Sequence, residues 1–225
     1  MERKKAVVIL SGGVDSSTLL YKAVNDDFET YALTFIYGQK HEREIESAKR
    51  ICYGLNVAHK VVDLSSLKEI LSGSALTDSN VEIPEVPETV EYYETLKTTI
   101  VPNRNSIFLS IAITYAVSIK ADKVLFGAHH SDRGVYPDCR REFVEAFEYA
   151  ERLATDNPNL AVSAPFVNMN KSEIVKLGAE LRVPYGDTWS CYKGGEIHCG
   201  VCSSCRERKR AFEEAGIVDP TEYER

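Results

Sequence analysis

Residues 5–20 constrain the fold of this chain more than any other stretch. An apolar run at 6–10 leads into Ser11-Gly12-Gly13, and a helical pattern follows at once. The first backbone N–H groups of a helix have no partner inside the helix, and the helix dipole favours negative charge there. Adjacent glycines let the backbone approach a phosphate without a Cβ in the way. A strand, a glycine turn and a helix start therefore predict an anion cradle.

Two better-known phosphate loops are excluded for this stretch. The sequence contains neither G-x-x-x-x-G-K-[ST] nor a G-x-G-x-x-G dinucleotide motif here. The motif at 11–16, SGG-x-DS, resembles the pyrophosphate loop of the ATP pyrophosphatases, which implies that it holds the pyrophosphate leaving ATP. An ordinary βα turn is the alternative. The position after the first strand favours a ligand site, because open α/β sheets bind ligands at the carboxyl ends of strands.

Strand and helix patterns alternate along the rest of the chain. Helices are predicted at 14–25, 41–55, 106–119, 140–155, 170–181 and 203–215, and strands at 28–36, 57–64, 122–127 and 160–165. Repeated β-α-β units require a parallel sheet with right-handed crossovers. The pattern predicts an α/β fold built on a doubly wound parallel sheet.

Residues 65–99 interrupt the alternation. They contain Gly73, Pro84 and Pro87 and lack strong periodicity. A stretch of about 35 such residues inside a compact domain is usually functional or mobile. We interpret it as a lid over the site, with short helices near 67–71 and 90–97; a disordered insertion is the alternative.

Two cationic residues lie beside predicted helix starts. Arg104 stands between Asn103 and Asn105, either of which is a good N-cap, so it would form a second anion-facing corner. Lys171 follows a capping Asn170 and is suited to meet phosphate charge; a surface lysine is the alternative. The loop 128–137 holds two adjacent histidines, but without a suitably spaced carboxylate cluster a metal site there is disfavoured.

Four of the six cysteines fall close together near the end of the chain. Cys191, Cys199, Cys202 and Cys205 have the spacing C-x7-C-x2-C-x2-C. Four thiolates can close a tetrahedral zinc shell, and a closed shell leaves no position for water, so the metal is expected to be structural. An iron–sulfur cluster is the rival, and His198 is an alternative ligand.

Composition narrows the classes of partner. The net charge of −7 over 225 residues argues against a nucleic-acid partner. The basic run at 206–210, RERKR, is interpreted as a solvated helix face. No apolar run approaches the length needed to span a bilayer, and no signal peptide is recognised, so the cytoplasm is expected.

Sequence blocks along nearly the whole chain resemble the 7-cyano-7-deazaguanine synthase family. The more specific blocks are YPDCRREF at 136–143, TWSCYKGG at 188–195 and CGVCSSCRERKRAF at 199–212; YGQKHERE at 37–44, VPNRNSIFLSIA at 101–112 and PFVNMNKSEIVKLG at 165–178 add to them. Ile36 and the loop 128–135 depart from the usual pattern. A tRNA-modifying enzyme on the same scaffold and a non-catalytic nucleotide sensor are the rival hypotheses.

The resemblance implies a fold, a reaction and its participants. The fold is adenine nucleotide alpha hydrolase-like and Rossmann-like, with an ATP-binding unit at 1–183 and a zinc-binding segment at 184–225. The enzyme is a carbon–nitrogen ligase that converts 7-carboxy-7-deazaguanine and ammonia to the nitrile in queuosine or archaeosine biosynthesis. It uses ATP, Mg²⁺ and structural Zn²⁺, acts as a homodimer, and needs no nucleic acid and no membrane.

The resemblance also implies site residues. Asp15, Lys171 and Arg104 are the candidate catalytic residues, and no covalent nucleophile is needed because the substrate itself attacks ATP. The candidate metal ligands are the four cysteines above. The nucleotide-binding candidates are the loop and the start of the first helix: Leu10, Ser11, Gly12, Gly13, Val14, Asp15, Ser16, Ser17, Thr18, Leu19 and Leu20.

Overall fold

The computed structural model describes residues 3–40, 42–78, 80–85 and 96–225. Within them, five parallel strands form one sheet in the order β3-β2-β1-β4-β5. The strands are β1 Lys5–Ile9, β2 Glu29–Ile36, β3 Ala58–Asp63, β4 Lys123–Leu125 and β5 Ala161–Ser163. The order runs outward from β1 in both directions, so the carboxyl ends of β1 and β4 flank a topological switch point. The predicted parallel α/β sheet is confirmed.

Six α-helices of the described residues pack on this sheet or beyond its edge. They are α1 Val14–Asn25, α2 Arg43–Leu55, α3 Arg104–Ser118, α4 Arg141–Ala154, α5 Lys171–Glu180 and α6 Ser203–Ala215. Every predicted helix outside 65–99 is present. All four strands predicted after the first are shorter in the structure, β4 and β5 by three residues each. β4 ends at Leu125, and the chain then turns so that Gly127 passes against the backbone of Ser16.

Both faces of β1 are buried, as expected for a central parallel strand. Ala6 and Val8 pack with Leu19 and Leu20 of α1 on one face. Val7 packs against α3 on the other face, in a cluster that includes Leu109 and Ile113. The two cores fix the loop after β1 between α1 and α3, and this positions the site.

The described parts of the insertion 65–99 pack against the core. Leu71 and Leu76 belong to the same apolar cluster as α3, and the backbone N–H of Lys40 donates to the carbonyl of Leu76 at 3.1 Å. The helix predicted near 67–71 is wrong: a single 3₁₀ turn covers Ser65–Leu67 instead. Most of the helix predicted at 90–97 lies outside the described residues.

The interpretation of the basic run at 206–210 as a solvated helix face is partly wrong. Arg208 is fully buried in α6 rather than solvated. Its guanidinium bonds the Asp219 carboxylate at 3.0 Å and the Thr188 hydroxyl at 2.7 Å. Residues 216–225 fold back over α6, and this return supplies the carboxylate that makes burial of the charge possible.

No helix in the described part of the chain is both long and apolar enough to span a bilayer.

Candidate functional site

The glycine loop between β1 and α1 has the backbone shape of an anion cradle. Gly12 has a φ of +83°, and a Cβ there would lie 2.3 Å from the carbonyl oxygen of Glu44, so only glycine fits. The Ser11 N–H donates to the Ser16 hydroxyl at 3.1 Å, and the two hydroxyls are 2.9 Å apart. Gly13 occupies the N-cap position of α1 and no side chain caps the first turn. The amides of that turn are therefore available to an anion.

A cavity of about 280 Å³ opens beside this loop, at the carboxyl ends of β1, β2 and β4. Its wall has two different sides. The charged side carries Asp15, His129, Asp132, Lys171 and Glu207, and the aromatic side carries Phe35, Tyr37, Glu44, Arg104 and Phe108. Residues of the loop line the same cavity as both groups.

Lys171 begins α5 and points into the cavity. Its Nζ lies 3.2 Å from the Asp15 carboxylate and 2.6 Å from the Glu207 carboxylate, and its side chain is only 12% exposed. Burial works against its charge, but Asp15 and Glu207 outweigh burial and raise the pKa of Lys171. The surface-lysine alternative is wrong, because Lys171 is a largely buried ammonium paired with two carboxylates.

Asp15 is the charged partner that faces Lys171 from the first turn of α1. Burial opposes its ionisation, but Lys171 and His129 together hold the pKa of Asp15 below its ordinary value. Its Oδ2 lies 3.7 Å from His129 Nε2, while its buried Oδ1 has no hydrogen-bond partner. An ionised carboxylate with one unpartnered oxygen facing a phosphate cradle fits the donor set that Mg²⁺ prefers.

His129 links this pair to Asp132, so the loop after β4 contributes to the charged side. His129 Nε2 lies 3.5 Å from the Asp132 carboxylate, whose pKa is raised by burial. The neighbouring backbone also fits the cradle, since a Cβ on Gly127 would be 3.4 Å from the Ser16 nitrogen. Sequence reasoning found this loop but gave none of its residues a role.

The aromatic side is built from β2 and α3. The rings of Phe35 and Phe108 stack with centroids 4.2 Å apart, and Tyr37 meets Phe108 edge-on at 5.3 Å. The Arg104 guanidinium lies 5.8 Å from the Tyr37 ring centroid and 5.7 Å from that of Phe108. Phe35 and Phe108 cover each other, so this side is an apolar wall with a fixed cation beside it, and a cation there suits a ligand that carries negative charge.

Asn103 occupies the N-cap position of α3, as predicted, but it does not make the expected cap. Its backbone is left-handed, with φ of +53°, and no side chain caps the helix. The Asn103 carboxamide oxygen instead accepts a hydrogen bond from the Ser106 hydroxyl at 2.6 Å. The result still places Arg104 at the first position of the helix, facing the cavity.

Glu44 is a cavity residue that the sequence analysis missed. Its Oε1 accepts from Gln39 Nε2 at 3.0 Å, and Gln39 is fixed by the Tyr37 N–H at 2.7 Å and the Phe35 carbonyl at 3.1 Å. Burial raises the pKa of Glu44 to about 7. The signal was present in the block YGQKHERE at 37–44, which places a turn amide five residues before a carboxylate.

The four C-terminal cysteines converge as their spacing predicts. All are buried, and their sulfur atoms lie within 4.8 Å of one another. The N–H groups of Cys199 and Cys202 donate to the sulfurs of Cys191 and Cys199, each at 3.4 Å. Four soft donors in such a cluster, with amides directed at sulfur, can bind a metal ion. His198 lies outside the set and accepts from the Ser190 N–H through Nε2 at 3.1 Å.

The sheet, its switch point and the glycine cradle together define an adenine nucleotide alpha hydrolase-like protein of the pyrophosphate-loop class. Solved structures share this fold. NMN synthetase from Francisella tularensis superposes with a TM-score of 0.53 at 15% identity, over 96% of this chain and 79% of that one. A predicted subunit of tRNA methyltransferase from Methanocaldococcus jannaschii gives 0.51 at 16% identity, over 78% and 76%.

The family follows from sequence comparison. The model of the family described as queuosine biosynthesis protein QueC matches residues 5–216, and the chain belongs to this family. A 7-cyano-7-deazaguanine synthase from Caldicellulosiruptor saccharolyticus is 50% identical over 98% of this chain and 96% of its own length. One from Archaeoglobus fulgidus is 50% identical over 96% and 89%. The family resemblance found in the sequence is confirmed.

Proposed function

We propose that this chain is a 7-cyano-7-deazaguanine synthase, an ATP-dependent ligase that converts 7-carboxy-7-deazaguanine and ammonia to the nitrile. The observation that carries the proposal is the glycine cradle beside the Lys171–Asp15 pair, in a chain half identical to enzymes of that name. A phosphate cradle, a fixed ammonium and a neighbouring aromatic wall are what adenylation of a ring carboxylate requires.

The reaction needs an activated oxygen twice. A carboxylate is a poor electrophile, so its oxygen attacks the α-phosphorus of ATP and pyrophosphate leaves. Ammonia then displaces AMP and the amide forms. The amide oxygen attacks a second ATP, and loss of AMP with a proton from nitrogen leaves the carbon–nitrogen triple bond. The same cradle serves both steps, because pyrophosphate is the leaving group each time.

The loop residues and Lys171 would act on the leaving group. Negative charge grows on the pyrophosphate in the transition state, and the amides at the start of α1 are already oriented toward it. The Lys171 ammonium stays charged because its pKa is raised, so it can meet the same charge at neutral pH. Arg104 would hold the substrate on the aromatic side of the cavity.

Two metal ions belong to the proposal. Asp15 would hold Mg²⁺ through its unpartnered Oδ1. Bound Mg²⁺ supplies positive charge that stabilises the phosphate oxygens. Zn²⁺ would be held by Cys191, Cys199, Cys202 and Cys205, whose closed thiolate shell gives it a structural role.

The proposal divides the chain into an ATP-binding unit at 1–183 and a metal-stabilised segment at 184–225, and contacts between them support the packing of the second on the first. Glu207 of the second segment pairs with Lys171 of the first, and Ile83 of the insertion packs on the cysteine cluster. The metal segment would thus hold one wall of the cavity, and the insertion 65–99 would act as its lid.

The remaining partners follow from charge and resemblance. The net charge of −7 supports a small-molecule substrate rather than direct contact with tRNA. The homodimer implied by the family resemblance is part of the proposal, and light scattering measures it.

The proposal is tested by mass spectrometry of the products formed from 7-carboxy-7-deazaguanine, ATP and ammonia. The nitrile should appear together with AMP and pyrophosphate. The Asp15→Ala variant should lose AMP release while its metal content at the cysteine cluster stays normal. Formation of ADP, or of no nitrile by a folded and metal-loaded protein, would reject the proposed reaction.

A further inference from the structure

Glu44 is a buried, ionisable cavity residue that adenylation does not use. It extends from the first turn of α2, while its own carbonyl oxygen packs against Gly12 of the cradle. The backbone that carries Glu44 therefore packs directly on the phosphate loop. Its carboxylate faces the aromatic side of the cavity that Phe108 and Arg104 also line.

Gln39 fixes the hydrogen-bonding role of this carboxylate. The Gln39 amide nitrogen donates to the Phe35 carbonyl and to Glu44 Oε1, while the amide oxygen accepts from the Tyr37 N–H. The amide cannot be turned over without losing these bonds. Glu44 therefore accepts a hydrogen bond from a fixed amide, and its carboxylate lines the cavity as an acceptor.

An acceptor of this kind distinguishes purine-like edges. A guanine-type ring places a ring N–H beside an exocyclic amine, and these two parallel donors match the two oxygens of a carboxylate. An adenine edge places its amine beside a ring nitrogen that accepts, and that lone pair repels an ionised carboxylate. In its ionised form Glu44 thus fits the first edge and disfavours the second.

We infer that Glu44 is a specificity-determining residue that binds the ring N–H and 2-amino group of the deazaguanine substrate. The inference rests on the proposed function and names the group that reads the substrate ring. The ring would lie in the cavity that Tyr37 and Phe108 line, with the Arg104 guanidinium near its negatively charged substituent.

Glu44 has a pKa near neutral pH, and its ionised form is the one that matches two ligand N–H donors. Burial raises its pKa, while Gln39 and the Arg104 charge lower it, so that the net value is about 7. A carboxylate buried with few donors of its own is poorly satisfied until a ligand supplies them. Two ligand N–H groups would complete its hydrogen bonding.

The test compares two acids that differ by one amine: 7-carboxy-7-deazaguanine and its analogue with hydrogen in place of the 2-amino group. Specificity constants are measured from AMP release with ATP and ammonia saturating. A hydrogen bond to a charged group corresponds to about tenfold or more, so the unmodified protein should prefer the amine-bearing acid at least about tenfold. Glu44→Gln should remove most of that preference, and the exposed Glu46→Gln on the same helix should keep it.

The outcomes separate this inference from the proposed function. Equal use of both acids by the unmodified protein would overturn the inference without any variant, even if the nitrile forms. Full preference retained in Glu44→Gln, with a raised KM for ATP, would assign Glu44 to the adenine instead. Failure of the unmodified protein to release AMP with either acid would reject the proposed function itself.

Discussion

At the scale of single residues, Lys171 is held between two carboxylates of different origin. Asp15 comes from α1 and Glu207 from α6, at 3.2 and 2.6 Å from the ammonium. Such a lysine keeps its charge despite burial and is held in one direction, whereas an exposed lysine is charged but free to change its direction. A cation that is oriented before the reaction costs no reorganisation when charge develops on the leaving pyrophosphate.

Lys171→Met should lower kcat/KM for AMP release by about 100-fold or more, the effect of removing one preorganised charge from a transition state. The matched control is Lys176→Met on the same helix, where the side chain is exposed. Initial rates with both variants, together with their melting temperatures, check the prediction. Equal rates for the two variants would remove Lys171 from the mechanism.

Glu44 gives a prediction about stability and pH. Its pKa is about 7 when folded, against an ordinary value of 4.5. Its contribution to stability is therefore present below pH 4.5 and lost as the pH rises through 7. The side chain of the Glu44→Gln variant is neutral at every pH. As the pH rises from 4.5 to above 7, the free energy of unfolding of this variant should therefore increase relative to that of the unmodified protein, by at most about 3 kcal/mol.

Urea unfolding at mildly acidic and mildly alkaline pH measures this gain. Glu46→Gln is the control, because Lys49 lowers the pKa of the exposed Glu46 and the burial cost is missing. If the difference in unfolding free energy between Glu44→Gln and the unmodified protein does not change with pH, folding does not raise the pKa of Glu44.

Residue roles were predictable where a backbone motif carries them. The local spacing of the loop glycines predicts an anion cradle, and that of the four cysteines predicts a metal site. Glu44 stands in one block with its partner Gln39, whereas Glu207 and its partner Lys171 are far apart in the sequence and no local spacing joins them. Such pairs exist only after the elements have packed.

At the scale of elements, periodicity predicted which helices and strands form, because each helix has a stripe that faces the sheet. It did not predict how α6 is buried. The run RERKR reads as a solvated face, yet Arg208 lies inside, bonded to Asp219 of the returning chain end. A run of charged residues indicates an exposed helix surface, but it does not show that a later segment, here residues 216–225, covers that surface.

Arg208→Met tests the importance of that burial. It leaves Asp219, whose side chain is 11% exposed, without its charged partner, so we expect a loss of about 3–5 kcal/mol in the free energy of unfolding. Arg210→Met on the same helix breaks an exposed pair with Glu214 and should cost less than about 1 kcal/mol. Similar urea midpoints for both variants would show that the buried pair does not anchor α6.

At the scale of the whole molecule, the charged wall of the cavity joins distant parts of the chain. The cradle comes from the first strand and helix, Lys171 from α5, and Glu207 from the helix that begins directly after Cys202. A metal ion bound by the four cysteines would fix the start of α6 and therefore the position of Glu207. The cluster thus supports the site without lying in it.

Cys202→Ser should lose bound metal and much of the folded yield, because three thiolates no longer close the shell. Cys52→Ser is the control for metal content, since Cys52 is a buried core residue far from the cluster in sequence. Elemental analysis and circular dichroism measure both effects. Normal metal content and stability in Cys202→Ser would reject a structural metal.

The central claim is that the cavity beside the glycine loop activates the substrate's own carboxylate by joining it to AMP. The most direct measurement uses 7-carboxy-7-deazaguanine labelled with ¹⁸O in both carboxylate oxygens, with mass spectrometry of the AMP. Each carboxylate oxygen should leave on a separate AMP molecule, so the AMP should be labelled in step with nitrile formation. Unlabelled AMP alongside the nitrile would contradict adenylation of the substrate and the account built on it.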